Sequence, residues 1–587
     1  MNFFKRVLST LTGLILFFVI CFFGLIILGV VLGSGAEKTI QVKPNTVLDL
    51  TLDFPIQDYA GKVEFKEYTF LNEHRKDGLF NIIDAINYAA FDDKIKGISI
   101  DNNFVNAGVS QLKELRRALL KFKESGKFVL AYADVFTQKD YYLSSVADTI
   151  YMSPAGLMEF KGLYSERLYF KDFQEKTGLK MEVVRHGKYK SAVEPFLSNE
   201  MSENNREQIS VYLNSLWSEI KKEISESRHV SVERLDIIAD SLLARNPHLA
   251  LESKLIDKIV YHDQYVDVMK AASGLTKSDD LKYIKIKDYA EYASTNVKNY
   301  STKNKIAVIF AEGEIIYGEG DVGVVGQGAI NKSLKKARED DRVKAVVLRI
   351  NSPGGSALAS ELIWREVALT KKVKPVVVSM GNMAASGGYY IACNADKIIA
   401  ESTTITGSIG VFGVLPNVEQ LARNMGINAE QVTTNQNAVT YSLFEPLNET
   451  QRQFIQEGVL DVYELFIDRV SAGRQLTKDQ VEAIAQGRVW TGVDAVNHGL
   501  VDALGGLDVA LNEAARAAKI EDYRIKEFPV FEKNLDKILE QFGIVKAKET
   551  ILKEELGEEN YKILKEIKSL SKKKGVQLLF PFSTEIK

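Results

Sequence analysis

Cysteine and histidine are scarce in this chain, and their scarcity excludes several kinds of site. Only two cysteines occur among 587 residues, Cys21 in an apolar run and Cys393 in a predicted helix. A disulfide framework is therefore excluded. The six histidines include no pair at metal-ligand spacing, and a net charge of −3 provides no basic stripe for nucleic acid. We expect neither a metal site nor a nucleic-acid partner.

Charge is absent from one long N-terminal run. After Lys5 and Arg6, residues Val7 to Leu32 form 26 consecutive uncharged positions. A helix of that length, at about 1.5 Å per residue, exceeds the roughly 30 Å of hydrocarbon in a bilayer. Residues 34–36 would suit signal-peptide cleavage, but the apolar region of a signal peptide has only about 7–15 residues. We predict a retained transmembrane helix with its N-terminus in the cytoplasm and the body outside.

Two stretches of the chain are copies of one unit. Residues Asp92–Lys96 match Asp340–Lys344 at an offset of 248, and the same offset aligns further tyrosine and Ala-Asp pairs. The period is far too long for a solenoid, so it indicates two tandem domains of one fold. Each copy alternates short apolar strands with amphipathic helices, for example strand 345–350 before helix 356–369. This order is typical of βαβ units in an α/β fold with parallel strands.

The two copies differ at polar positions that could carry chemistry. Ser386 in the second copy corresponds to Gln138 in the first at the offset of 248. Further on the offset drifts to 251, where Glu194-Pro195 matches Glu445-Pro446, and there Lys190 in the first copy corresponds to Tyr441 in the second. One half thus holds a serine and the other a lysine, which suggests a composite Ser/Lys site. A lysine acts as a general base only when desolvation lowers its pKa. Considered singly, Ser386 could be a helix N-cap and Lys190 a solvated surface lysine.

Two glycine-rich turns complete the candidate site. Residues Asn351–Ser356 follow a strand and precede a helix, where adjacent glycines let backbone N–H groups point into a site, as an oxyanion hole requires. A tight turn capped by Ser356 is the simpler interpretation of that motif alone. In the second turn, Ser408 could hydrogen-bond the lysine, or it could satisfy local backbone groups. A Ser-His-Asp triad is disfavoured, because the second copy has no histidine before His498.

Five motifs in this order resemble the long form of signal peptide peptidase A, a family of membrane-anchored Ser/Lys peptidases also called protease IV. They span roughly residues 47 to 520 and lie at Tyr189–Pro195, Ser352–Ser356, Met383–Tyr389, Thr406–Gly410 and Val489–Gly492.

The resemblance implies a fold shared with the Clp proteases and crotonases, present here as two tandem domains. It implies that Ser386 is the nucleophile, Lys190 the general base and Ser408 the support of the lysine. The backbone N–H groups of Gly354 and Gly387 would form the oxyanion hole. It also implies a homotetramer, no metal or other cofactor, and cleaved signal peptides as substrates. The enzyme would be a single-pass protein of the cytoplasmic (inner) membrane, with its catalytic body on the periplasmic side.

The predicted organisation has five parts. In chain order they are a cytoplasmic tip and transmembrane anchor (1–45), a Clp/crotonase-like domain supplying the lysine (46–286), a linker (287–305), a second such domain supplying the serine (306–520) and a charged C-terminal tail (521–587). The tail is expected to pack on the body or on a neighbour and not to perform chemistry.

Two other functions use the same motifs. A crotonase-like enzyme acting on acyl-CoA could use the oxyanion glycines without needing Ser386 or Lys190. A catalytically inactive membrane scaffold would bind peptides or membrane proteins and would need no Ser/Lys pair. The peptidase interpretation is the one that uses both polar residues.

Overall fold

The computed structural model describes residues 11–24, 40–65, 73–296, 302–533 and 577–579. Residues 11–24 form an exposed helix, α1. No helix within the described ranges combines the length and the apolar character that a membrane crossing needs. The predicted anchor, Val7 to Leu32, extends beyond the described residues on both sides.

The first half contains nine strands and nine further helices within its described residues. The strands are β1 (Thr46–Asp49), β2 (Lys62–Phe65), β3 (Glu73–His74), β4 (Ile95–Asp101), β5 (Phe128–Phe136), β6 (Thr149–Met158), β7 (Lys180–His186), β8 (Lys258–Ile259) and β9 (Lys282–Lys285). The helices are α2 (Leu79–Ala89), α3 (Val109–Lys123), α4 (Gln138–Ser144), α5 (Lys171–Thr177), α6 (Glu203–Arg228), α7 (Val232–Asp240), α8 (Pro247–Glu252), α9 (His262–Ala272) and α10 (Ile286–Asn296). A 3₁₀ helix, Ser191–Phe196, follows β7.

The second half repeats this alternation. Its strands are β10 (Lys305–Glu312), β11 (Glu314–Ile316), β12 (Val324–Gly326), β13 (Val343–Ser352), β14 (Gly354–Ser356), β15 (Val376–Ala385), β16 (Lys397–Ala400), β17 (Ile405–Gly407), β18 (Val411–Asn417), β19 (Val489–Thr491), β20 (Ala503–Leu504), β21 (Arg524–Phe528), β22 (Val530–Lys533) and β23 (Gln577–Leu579). Its helices are α11 (Gln327–Glu339), α12 (Ala357–Lys371), α13 (Gly387–Ala392), α14 (Glu419–Asn424), α15 (Glu449–Arg474), α16 (Lys478–Ile484), α17 (Gly492–Asn497) and α18 (Leu507–Ala518).

The main sheets of the two halves share one strand order. The first sheet runs β8-β6-β5-β4-β1-β9 with parallel pairing throughout. In the second, the parallel series β20-β16-β15-β13-β10-β21 matches it, with β16 and β17 together corresponding to β6. The additional strand β19 pairs antiparallel with β17. The register agrees as well, because Phe136 pairs with Met158 and Ala384 pairs with Thr406, both shifted by 248. The internal duplication is therefore present in the backbone.

Apolar periodicity explains the two layers of each half. In α3 the buried residues Leu112, Leu115, Leu119 and Phe122 recur at helical spacing, so one stripe of that helix faces the sheet. In β13 the apolar run 345–348 is buried on both faces, as expected for a central parallel strand covered by helices. The packed sheets are rigid, and polar residues lie at the ends of their strands.

Two predicted boundaries differ from the structure. The segment 287–305, predicted as a linker, is helical as far as Asn296 and packs Tyr289, Ala290 and Ala293 into the first core. The second domain does not end at residue 520, because β21 pairs in parallel with β10. It is the counterpart of β9 in the first sheet, so the repeated unit needs it to complete its sixth strand.

A third sheet crosses between the halves. Its order is β12-β11-β14-β23-β18-β7, and β7 of the first half pairs antiparallel with β18 of the second over seven residue pairs. A smaller sheet also joins the halves through β2 and β22. β7 leads directly into the segment that carries Lys190. Its pairing with β18 therefore brings that segment of the first half next to the second half.

Candidate active site

Ser386 lies at the turn between β15 and α13. Its backbone has φ 54° and ψ −115°, a conformation sparsely populated by residues other than glycine. The turn is held by a hydrogen bond from the Ser386 N–H to the Gly407 carbonyl, at 2.8 Å. The next residues must be small, since a Cβ on Gly388 would lie 2.7 Å from the Ser352 carbonyl oxygen. The turn thus fixes the direction of the serine side chain.

The simpler role for Ser386, a helix N-cap, is not the one the structure shows. Ser386 stands at the N-cap position of α13 but its side chain makes no capping hydrogen bond. Its Oγ instead lies 2.8 Å from the Nζ of Lys190. By contrast, Ser356 does cap its helix, accepting a hydrogen bond from the Ala359 N–H at 3.3 Å.

Lys190 reaches Ser386 from the other half of the chain. It follows β7 and precedes the 3₁₀ helix, and its side chain is fully buried. The amine also lies 3.0 Å from the Ser408 Oγ and 3.1 Å from the Ser408 carbonyl oxygen. The structure thus brings together Ser386, Lys190 and Ser408, each 0% exposed.

The electrostatic setting favours the neutral amine. Burial lowers the pKa of the Lys190 ammonium well below its ordinary value. Its three polar contacts go to uncharged serine atoms, and the Phe412 ring centroid is 5.9 Å from Nζ. A neutral amine in hydrogen-bond reach of a hydroxyl can accept the hydroxyl proton.

Ser408 is positioned by the strand before it and the chain beside it. It follows β17, has φ 51°, and its N–H donates to the Arg488 carbonyl at 2.7 Å. β17 pairs with β15 on one side and with β19 on the other. Ser408 is therefore fixed between two strands and not in a loose turn.

The two predicted oxyanion glycines are in close backbone contact. Gly354 has φ 98°, which favours glycine, and a Cβ added at Gly387 would lie 3.1 Å from the Gly354 Cα. In this structure the Gly354 N–H points to the Ser352 Oγ at 3.2 Å. An oxyanion would have to replace that weak contact, so the role of both N–H groups stays a prediction.

Other residues that shape the site could not be identified from the sequence. A Cβ on Gly487 would lie 2.7 Å from the Lys190 backbone nitrogen, and one on Gly410 would lie 3.3 Å from the Lys190 Cδ. Both glycines therefore make room for the lysine stem. Gln208 on α6 donates to the Tyr189 carbonyl at 3.1 Å and to the Ser191 Oγ at 3.0 Å, and so holds the residues on either side of the lysine.

In the first half, the position that corresponds to Ser386 is Gln138, and its side chain makes local hydrogen bonds. Gln138 begins α4 as Ser386 precedes α13, and its Oε1 accepts hydrogen bonds from the N–H groups of Lys161 and Gly162 at 3.1 and 2.9 Å. Nearby, the Asp140 carboxylate accepts from the N–H groups of Phe104 and Val105, both at 2.9 Å. In the first half, local side chains thus occupy these backbone donors.

Comparison with known proteins places this geometry in context. Residues 121–276 and 368–521, one segment in each half, match Peptidase family S49. Protease 4 of Haemophilus influenzae is 37% identical over 541 residues, which cover 89% of this chain and 88% of that protein. The chloroplastic serine protease SPPA of Arabidopsis thaliana is 34% identical over 485 residues, covering 82% and 70%. A ClpP1 mutant structure from Listeria monocytogenes has 13% identity and a TM-score of 0.24, over 35% of this chain and 92% of that one. That TM-score is too low to bear on the fold.

Proposed function

Because the chain belongs to peptidase family S49 and is a serine peptidase, we propose that it hydrolyses peptides with Ser386 as nucleophile and Lys190 as general base. Neutral Lys190 takes the proton of the Ser386 hydroxyl while the serine oxygen attacks a peptide carbonyl carbon. The backbone N–H groups of Gly354 and Gly387 stabilise the oxyanion. No metal or other cofactor enters the mechanism.

The remaining steps return the enzyme to its starting state. Protonated Lys190 gives its proton to the departing amine as the C–N bond breaks, leaving an acyl ester on Ser386. Lys190, again neutral, then takes a proton from water, whose oxygen attacks the ester carbonyl. The ester bond breaks, the serine recovers its proton from the lysine, and the acid product leaves. Ser408 keeps the amine in place through both halves of the cycle.

The 2.8 Å separation between the Lys190 Nζ and the Ser386 Oγ carries the proposal. Burying a lysine costs free energy, because its charged form loses hydration. An acyl-CoA enzyme or a scaffold would gain nothing from that cost, whereas a general base requires it. The proximity of the two side chains therefore supports acyl transfer over both alternatives.

The dyad is tested by two substitutions and a covalent probe. We expect Ser386→Ala and Lys190→Ala each to lower peptidase kcat/KM by at least about 10³-fold, with cooperative thermal unfolding retained. Lys188→Ala, an exposed lysine two residues earlier, is the matched control and should keep wild-type activity. A fluorophosphonate probe should label wild type at Ser386. Normal turnover by either dyad variant would refute the mechanism.

The proposed substrates are cleaved signal peptides. The support is the family resemblance and the extended strand that pairs with the edge next to Gly354 in this structure. An extended apolar peptide could use the same backbone partners. Digestion of synthetic signal peptides by wild type and Ser386→Ala, followed by mass spectrometry, tests this. Wild type leaving them intact while cleaving a generic peptide would contradict this substrate class.

The finer fold and the assembly are also proposals. We infer two Clp/crotonase-like domains and a homotetramer anchored in the cytoplasmic (inner) membrane by Val7 to Leu32, with the catalytic body on the periplasmic side. Apolar side chains such as Phe173, Met425 and Ile427 are exposed near α5 and α14 and could be covered by another subunit. Analytical ultracentrifugation in detergent tests for four chains of 65.6 kDa, and alkaline extraction of membranes tests the anchor.

A further inference from the structure

Arg185 is a cation beside the proposed general base that the chain leaves without an acidic partner. Its Nη1 donates a hydrogen bond to the Lys190 carbonyl oxygen at 3.3 Å. A guanidinium has five N–H donors, and within the described residues Arg185 forms no ion pair and no other hydrogen bond. The side chain is partly exposed, so its remaining donors can meet a group that arrives from solvent.

Neighbouring arginines do have carboxylate partners. Arg452 lies 2.5 Å from Glu182, which precedes Arg185 on β7, and Arg488 lies 3.0 Å from Glu207. Burying part of an unpaired guanidinium costs free energy, because its charge loses hydration. A partly buried arginine that has no carboxylate within the described residues is therefore suited to bind an anionic group of a ligand.

The strand register puts Arg185 on the face of the sheet that borders the site. Arg185 pairs directly with Phe412 of β18, and residues opposite each other on paired strands project to the same face. The Phe412 ring centroid lies 5.9 Å from the Lys190 Nζ. His186, the next residue on β7, projects to the other face and packs against Tyr463, with ring centroids 4.3 Å apart. Arg185 therefore lies on the Lys190 side of this sheet.

The position of Arg185 relative to the dyad predicts which part of a peptide it would meet. In the proposed mechanism Lys190 gives its proton to the departing amine, so the lysine side of Ser386 receives the residues after the scissile bond. Arg185 is hydrogen-bonded to the backbone of Lys190, and the lysine side chain spans the remaining distance to Ser386. That span equals roughly two or three residues of extended peptide at about 3.3 Å per residue.

We propose that Arg185 is a specificity-determining residue that binds a carboxylate two or three residues after the scissile bond. The inference deepens the proposed function and rests on it. A planar guanidinium binds a carboxylate through two parallel hydrogen bonds, which fixes its orientation as well as its charge. The carboxylate could be the free C-terminus of a peptide or an acidic side chain.

We assign the free C-terminus, because the proposed substrates are apolar and a terminal carboxylate is the acidic group that every peptide carries. A signal peptide gains this terminus only when it is cut from its preprotein. Arg185 would therefore favour cleaved signal peptides over the same sequence within an uncut chain.

The first test compares peptides that differ only at the C-terminus. One apolar signal-peptide sequence is prepared as the free acid and as the amide, and kcat/KM is measured for cleavage two or three residues before the end. Wild type should cleave the acid about tenfold faster than the amide. Arg185→Gln should bring that ratio close to one, and Arg185→Lys should keep only part of it, because an ammonium lacks the guanidinium fork.

The acid-to-amide ratio is taken within each variant, so a general loss of activity cancels. Lys188→Gln, which removes an exposed cation three residues later, is the matched control and should keep the wild-type ratio. A ratio of one in wild type, or the wild-type ratio in Arg185→Gln, would overturn the role of Arg185.

A third peptide distinguishes the two sources of the carboxylate. It is amidated, extends beyond the C-terminus of the first two, and has aspartate at the position of their last residue. Slower cleavage of this peptide than of the free acid supports the assignment to the terminus. Equal rates would show that any carboxylate suffices and would overturn that assignment.

The acid-to-amide ratio should also stay constant between about pH 6 and pH 9. Over that range the guanidinium remains charged and the peptide carboxylate remains ionised. A preference caused by attraction to protonated Lys190 would instead fade as that amine loses its proton at higher pH. A fading ratio would therefore contradict the assignment to Arg185.

Binding without catalysis separates this inference from the proposed function. Fluorescein-labelled acid and amide peptides are titrated into Ser386→Ala, and into the same protein with Arg185→Gln, and anisotropy is recorded. The acid should bind about tenfold more tightly than the amide to the first protein and equally to the second. Equal Kd values in the first protein would refute the inference whether or not wild type hydrolyses peptides. Wild type that cleaves both peptides at equal rates would keep the peptidase function and lose the role of Arg185.

Discussion

In the proposed mechanism, the reactivity of Ser386 depends on whether the Lys190 amine carries a proton. The lysine is fully buried and contacts only serine atoms through its amine, so solvent cannot stabilise its charge. Burial lowers its pKa well below the ordinary value, and this gives the activity and the stability a defined dependence on pH.

Peptidase activity should rise with pH. Below the lowered pKa of Lys190 most molecules hold the charged amine, which cannot accept the serine proton. kcat/KM should therefore increase about tenfold per pH unit up to that pKa and then level off. The measurement is kcat/KM, with the rate of fluorophosphonate labelling of Ser386 in parallel. Flat profiles from mildly acid to alkaline pH would exclude a lysine base.

The same pKa shift predicts how stability changes with pH. The unfolded chain holds the Lys190 proton up to a pKa of about 10.4, whereas the folded protein releases it at lower pH. Between those two pKa values unfolding takes up a proton, so the free energy of unfolding rises with pH. Relative to Lys190→Met, wild type should gain about 1.4 kcal/mol per pH unit in that interval. Urea unfolding of both proteins at several pH values measures it, and parallel curves would contradict a shifted lysine.

Comparison of the two copies could identify the polar pair but not its surroundings. Ser386 and Lys190 each differ in kind from the residue that the repeat offset aligns with them, Gln138 and Tyr441. The roles of Gly487 and Gln208 arise from backbone packing and from a helix that folds against the lysine segment. Such contacts join residues distant in sequence, and no local pattern records them.

At the scale of elements, helix α6 anchors the segment that carries Lys190, the proposed general base. Gln208 is buried and its amide nitrogen donates to the Tyr189 carbonyl, to the Ser191 Oγ and to the Asn205 Oδ1. The Tyr189 N–H also donates to the Gln486 carbonyl at 2.9 Å. The lysine backbone is thus fixed by both halves of the chain.

Removing the amide of Gln208 should loosen that segment. We expect Gln208→Met to lower kcat/KM about tenfold, because a misplaced base loses part of the roughly 10²–10⁴-fold contribution of proton transfer. The apparent pKa in the pH profile should move upward as Lys190 becomes better hydrated. Asn214→Met, an exposed amide on the same helix, is the control. An unchanged pH profile with lower activity would mean that Gln208 has only a general structural role.

Strands and helices with clear apolar periodicity were predictable, and their positions are confirmed. The predicted strand 345–350 lies within β13, and the predicted helix 356–369 nearly coincides with α12. The helical spacing of Tyr289, Ala290 and Ala293 was missed, because polar residues dominate the segment. β21 was missed because its alternating charged residues resemble a tail, and only the pairing with β10 identifies it as a strand.

At the scale of the whole molecule, the family assignment from five motifs is confirmed by matches in both halves. The contact between the halves could not be predicted, because it depends on pairs more than 200 residues apart. Buried Arg349 on β13 lies 2.7 Å from the Asp58 carboxylate and 2.6 Å from that of Glu114, both in the first half. These ion pairs hold the first half against β13, the strand that leads to the turn at Gly354.

Loss of Arg349 should therefore destabilise the whole molecule. Arg349→Met leaves two buried carboxylates without their cation, a change that costs about 3–5 kcal/mol when a buried pair is broken. Arg342→Met, which breaks an exposed pair with Asp340, should cost less than about 1 kcal/mol. Urea unfolding at pH 7 measures both changes.

The penalty for Arg349→Met should also depend on pH. Without the guanidinium, the freed carboxylates of Asp58 and Glu114 can avoid a buried, uncompensated charge only by binding protons in the folded state. Unfolding then releases those protons, and the variant becomes more stable, relative to wild type, as the pH falls toward 5. A loss of stability that is small at pH 7, or equal at pH 5 and pH 8, would mean that solvent reaches these carboxylates and that apolar packing, not the ion pairs, holds the halves together.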